Sequence, residues 1–209
     1  MGEIVAAFGT VHAPQLILRP PDEKPEMLDA SIAAMRELGK ILDETKPDVI
    51  IFLGSDHLET YSMTCIPTFA LIAGKHAIAE FGGRNYHHPI HTEMADDLLD
   101  NLIHQGFDIA YSGDAVLGHT FAVPFEYLIE NRKIPVIPFH TNVYLPPLPT
   151  VQRCAALGRA MAEFIKGTIP VEEMLRTSDI AEALRFLLRV SPACLVPELM
   201  FQRPGEVAI

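Results

Sequence analysis

Cysteine is scarce in this chain: Cys65, Cys154 and Cys194 stand far apart and form no CxxC pair. An odd, scattered count gives no disulfide framework and fits free thiols in a reducing compartment. Positive charge is also short, with 16 Lys and Arg against 27 Asp and Glu and a net charge of −11. Nucleic acid and anionic membrane surfaces both demand clustered cations, so neither is expected as a partner; an anionic small substrate needs only one local basic group. No apolar run approaches the ~18 residues of a membrane span. The N-terminal stretch MGEIVAAFG has neither a basic n-region nor a long apolar h-region, so no secretory signal is expected. N-myristoylation on Gly2 is discounted because Ala6 stands where Ser or Thr is required. Together these point to the cytoplasm. Repeats and low-complexity tracts are missing too.

What is present is the material of one ordinary globular domain, or of one domain plus an appendage: 209 residues, 49% hydrophobic and 21% charged. Strand-like and helix-like patterns alternate. Residues 3–9 (EIVAAFG), 48–54 (DVIIFLG), 68–74 (TFALIAG), 107–112 (FDIAYS) and 134–139 (IPVIPF) read as strands, the second of them apolar and β-branched enough to be buried. Residues 25–46 read as a helix with the stripe Met27, Leu28, Met35, Leu38, Ile41 and Leu42, stopped by Pro47. Further helices are expected over 89–106, with Gly106 as its stop, over 121–132 after a first turn, and over 150–166. The alternation predicts an α/β fold with a mixed, largely parallel sheet covered by helices.

In such folds a ligand crevice lies beyond the carboxyl ends of the strands. Of nine histidines, His12, His57 and His140 follow predicted strands. His57 sits in GSDHLE, where Asp56 and Glu59 make a polar turn directly after an apolar strand. His12 sits in GTVHAP, where Pro14 stiffens the loop and fixes the ring. His119, in GHTF, follows a glycine that allows close backbone approach. A second group, His87, His88 and His91 in YHHPIH, has the spacing of a metal site only if helical, and Pro89 favours the plainer reading of a polar helix start at the crevice rim. His76 and His104 read as surface residues, and His140 is ambiguous. Two neutral imidazoles and one carboxylate on one face of a metal, the other positions open, form an Fe(II) site for oxygen chemistry. His12, His57 and His119 are the candidates for such a centre.

The segments GTVHAP, GSDH, GHTFAVP and IPVIPFHTNVYLPPLPTVQRCAALGRAM resemble, in order and spacing, the class III extradiol ring-cleavage dioxygenases, in particular the β-subunit type of protocatechuate 4,5-dioxygenase. The likeness runs from about residue 3 to about residue 166. It implies cleavage of a catechol-type ring beside its two hydroxyls by O₂ and non-haem Fe(II). It implies His12 and His57 as iron ligands and His119 as the acid–base histidine near the substrate hydroxyls. A small partner subunit or a homo-oligomer is also implied by some relatives. The family's third iron ligand, a glutamate, and a further active-site histidine lie in a later segment. Glu172, Glu173, Glu182, Glu198 and Glu206 follow the match here, none in that context, and the last histidine is His140.

Residues 177–206 resemble instead the C-terminal end of short-chain dehydrogenases, a helix beginning at DIAEA followed by a closing strand over 195–201. A dehydrogenase function does not follow, since no glycine-rich dinucleotide loop follows the first strand and no tyrosine has a lysine four residues on. The expectation is an incomplete dioxygenase-like domain over 1–166, truncated in its C-terminal part and joined through 166–170 to a helix–strand tail over 167–209 that is not an independent domain. Two functions follow from it. One is an Fe(II)-dependent extradiol dioxygenase, impaired if no carboxylate completes the site. The other is a non-catalytic α/β fragment or subunit that retains fold and ligand binding. A zinc hydrolase with the same histidines is the third reading, because imidazole alone does not select the metal. For a substrate carboxylate the residue singled out is Arg84, in FGGRNYHH, whose plainer reading is a solvated loop arginine.

Overall fold

The computed structural model describes residues 2–167; the dehydrogenase-like tail lies outside them. Its elements follow the predicted alternation: α1 (Gln15–Leu18), α2 (Pro25–Thr45), β1 (Ile50–Ser55), β2 (Phe69–Ile72), β3 (His76–Phe81), β4 (Arg84–Pro89), α3 (Thr92–His104), β5 (Ala110–Ser112), β6 (Val116–Leu117), α4 (His119–Pro124), β7 (Val136–Thr141) and α5 (Val151–Lys166). The fold is α/β with mixed sheets flanked by helices. One sheet has the order β1-β7-β2-β5 and the other β4-β3-β6. Pairing is parallel for β1 with β7, β2 with β5 and β3 with β6, and antiparallel for β2 with β7 and β3 with β4.

Helix α2 forms where the periodicity put it. Proline opens its first turn, where no N–H is needed, and Lys46 closes it in the left-handed conformation (φ 47°) just before Pro47. It buries Leu28, Ile32, Met35, Leu38 and Leu42, whereas Met27, counted in the predicted stripe, is exposed. Helix α3 buries Ala95, Leu98, Leu99 and Leu102 and packs beside α5. Between these helices and the strands lies one continuous core in which Leu71, Ile72, Leu98, Leu102, Phe121, Phe125, Ile137 and Phe139 are almost wholly removed from water. After α4 the chain widens into a π-helical turn over Phe125–Ile129, following Pro124, which has no N–H to give the helical ladder.

Three expectations are corrected. Residues 3–9 belong to no ladder among the described residues. They run extended, with alternate side chains turned inward, and Phe8 packs beside Leu38, Leu42 and Leu128. Strand β1 is an edge strand and only half-buried, with Leu53 63% exposed. The stretch around YHHP is not a helix entry but the strand β4, paired with β3 across a two-residue turn. Gly82 and Gly83 both take positive φ (59° and 73°), as a tight hairpin of the primed type demands. This hairpin and β6 make the second sheet, where one sheet was expected.

Candidate metal centre

Three separate pieces of chain deliver one imidazole each. His12 ends the extended N-terminal segment. The next residues turn at once into α1, with Pro14 (φ −59°) as its cap residue, and the buried hydroxyl of Tyr127 anchors that helix by donating to the Leu16 carbonyl at 2.8 Å. His57 stands on the loop beyond the carboxyl end of β1. His119 is the first residue of α4, 8% exposed. The ring centroids are 5.3 Å (His12–His57), 5.8 Å (His12–His119) and 4.6 Å (His57–His119) apart. One ring nitrogen from each lies within 4.8 Å of the others, and Nδ1 of His57 is 2.9 Å from Nε2 of His119. Phe81 flanks His119, and the rings of Tyr144 and His57 meet in a T-shaped arrangement. The buried side chain of Asn142 ties down the Tyr144 loop by donating to the carbonyls of Leu145 and Pro147 and accepting from the N–H groups of Tyr144 and Leu145.

Asp56 does not reach into the centre. Buried to 7% exposure, its carboxylate accepts the backbone N–H groups of Glu59, Thr60 and Tyr61 at 3.2, 2.9 and 2.9 Å, and so shapes the turn that follows His57. Glu59, carried by that turn, places Oε2 2.7 Å from Nδ1 of His119 and 2.9 Å from its backbone nitrogen. Sequence reasoning saw Glu59 only as a polar turn residue; its partner is 60 positions away, and no spacing rule connects them.

Burial lowers the pKa of His12, helped by the like charges that His57 and His119 can carry and opposed by Glu59. Burial likewise lowers that of His57, then His119, against Glu59 and Asp56. Both rings are therefore held neutral, the form that binds metal. Three convergent imidazoles suit a divalent transition ion, so the residues present fit a metal. Among the described residues the group contains no carboxylate.

The other candidates do not join it. His87 and His88 lie on β4, with His88 buried against Phe125, and His91 caps α3 by accepting from the N–H of Met94. His140 is buried at the end of β7 against Tyr61 and Phe121. His76 and His104 are exposed, as expected. Arg84 is engaged by Glu126 in an ion pair. An open groove at β5, lined by Pro67, Phe69, Ile103 and Phe107 among others, shares no residue with the centre.

Fold and site thus define an α/β protein with a three-histidine, metal-competent centre at its strand ends. Residues 6–170 match the family described as the catalytic LigB subunit of aromatic ring-opening dioxygenase, and the chain belongs to that family. It is similar to 2,3-dihydroxyphenylpropionate/2,3-dihydroxicinnamic acid 1,2-dioxygenases. It is 29% identical to that of Klebsiella pneumoniae (strain 342) over 69% of this chain and 46% of the relative. For that of Escherichia coli O139:H28 the identity is 30%, over 73% and 48%. For the second such enzyme of Pseudomonas putida it is 27%, over 70% and 47%. The chain spans about half the length of the curated relatives it matches. No helix among the described residues is long and apolar enough to cross a membrane.

Proposed function

We propose that this chain carries the histidine centre of a non-haem Fe(II) extradiol dioxygenase acting on a catechol-type ring with O₂. The observation that carries this is the convergence of His12, His57 and His119 in a chain of the ring-opening dioxygenase family. In this reading His12 and His57 hold the metal and His119 is the acid–base residue. Bound Fe(II) would supply a common site where catechol and O₂ meet and would acidify the catechol hydroxyls. The chain's own part is to orient and to move protons. Nε2 of His119, facing the centre, accepts a proton from a substrate hydroxyl and returns it as the ring opens. Phe81 and Tyr144 offer aromatic walls to a flat substrate. The relatives' names point to a catechol substituted beside one hydroxyl.

Iron is favoured over zinc by the family's oxygen chemistry, and a reducing cytoplasm by the need to keep iron ferrous and by the free Cys65 and Cys154. Residues 1–166 act as the dioxygenase body, 167–209 as an appendage, and a small partner subunit or a second copy as assembly partner. A second reading, a module that keeps fold and binding without turnover, is favoured by the all-histidine composition of the group. Anaerobic purification with iron analysis, then oxygen uptake and ring-fission absorbance with 2,3-dihydroxyphenylpropionate and protocatechuate, tests both. Iron near one per chain and ring cleavage, both lost in His12→Ala and His57→Ala, support the enzyme. A folded protein that binds catechol with neither supports the module.

A further inference from the structure

Glu59 has a geometry that a solvated turn carboxylate does not need. One oxygen, Oε2, meets the same residue twice, at the backbone nitrogen of His119 (2.9 Å) and at its ring Nδ1 (2.7 Å). Two contacts from one atom fix both where the histidine backbone lies and how its ring is turned. Residue 118 is shaped around this carboxylate: a Cβ added to Gly118 would fall 1.9 Å from Oε2 and 2.6 Å from Cδ. Only glycine admits the side chain. On the other side, Asp56 fixes the backbone from which Glu59 springs by accepting three successive N–H groups, that of Glu59 included.

We propose that Glu59 is the positioning residue of His119, setting its tautomer and aim through Nδ1, with Gly118 as the cradle that lets the carboxylate in. A carboxylate oxygen accepts from a ring N–H, so this contact puts a ring hydrogen on Nδ1. In the neutral ring Nε2 is then the bare nitrogen, and it faces the centre, 2.9 Å from Nδ1 of His57. Outer carboxylates that orient a histidine in this way act on metal and active-site chemistry without touching substrate. The use made of Nε2 in proton transfer rests on the proposed function; its tautomer and direction do not.

The test separates the two. Long-range ¹H–¹⁵N correlation on the metal-free, substrate-free protein reads the tautomer of His119, assigned by the peak that disappears in His119→Ala. Hydrogen on Nδ1 and a bare Nε2 are expected in the wild type. They should persist in Glu59→Gln, whose amide oxygen still accepts, and give way to an Nε2–H or mixed population in Glu59→Ala and in Gly118→Ala, where the carboxylate is displaced. In active protein, Glu59→Ala should lower kcat about 10- to 100-fold, the usual range for outer partners, with KM little changed and with Glu59→Gln recovering most of the loss. Hydrogen on Nε2 in the wild type overturns the proposal, and so does an unchanged tautomer in folded Glu59→Ala. If the alanine variants fail to fold, the wild-type and Glu59→Gln spectra alone decide. An inactive wild type would count against the proposed function and leave this measurement intact.

Discussion

The rings of His140 and Tyr61 meet in a T-shaped arrangement, centroids 5.3 Å apart and planes at 78°, and neither nitrogen of His140 has a hydrogen-bond partner among the described residues. It is 2% exposed, and burial pushes its pKa down to about 4, against the opposing pull of Asp56.

The first prediction concerns acid stability. Because His140 is neutral when folded and titrates near its ordinary 6.5 when unfolded, its contribution is fully present above that value and is lost as pH falls from 6.5 towards 4. One pKa unit is worth about 1.4 kcal/mol, so the loss attributable to this residue is about 3 kcal/mol, as an order of magnitude. Urea unfolding at several pH values should show His140→Leu falling less steeply than wild type between pH 6.5 and 4. Parallel curves would assign the acid sensitivity to other groups.

The proposed metal ligands give the second. Replacing a direct ligand costs more than replacing an outer partner, so His12→Ala and His57→Ala should each weaken Fe(II) binding by more than about 100-fold. Calorimetry under anaerobic conditions measures this, with circular dichroism showing the fold retained. Affinity unchanged in either variant removes that residue from the centre.

The hairpin supplies the third. Both turn glycines have positive φ, but a Cβ on Gly82 would also meet Cγ2 of Ile17 at 2.8 Å, while one on Gly83 meets nothing within 4 Å. Gly83→Ala should cost about 1 kcal/mol from backbone strain, and Gly82→Ala distinctly more. Equal losses of stability in the two variants would contradict the close approach of α1 to this turn.

A fourth prediction addresses the core. Leu98, wholly buried on α3, should lose about 2–5 kcal/mol of stability on truncation to alanine, the usual cost of a cavity at a packed site. Surface Leu148, 49% exposed, should lose far less under the same substitution.

Much of this was legible in the chain. Helices α2, α3 and α5 and strands β1 and β7 follow from periodicity and caps, which are local properties. Of the clustered histidines only His57 follows a strand both expected and present, while His12 follows a segment outside any ladder among the described residues and His119 is marked by Gly118. The misreadings share a cause. EIVAAFG has the residues of a buried strand, but a ladder also needs a neighbour, and among the described residues none forms a ladder with it. From Pro89 forward YHHP carries the marks of a helix start, while its state is fixed from behind by the Gly82–Gly83 turn. Glu59 and His119 are a pair only in three dimensions. The tail, residues 167–209 in the sequence reading, is untouched beyond Gly167 by the described structure.

Between residues 3 and 13 the chain keeps a strict two-beat rhythm, even-numbered side chains inward and odd-numbered ones outward, with His12 on an inward beat. Parity therefore aims the imidazole: deleting or inserting a single residue anywhere from 5 to 11 would turn it to solvent, although no functional side chain had been altered. Paired insertions, or extensions ahead of Gly2, leave the beat intact.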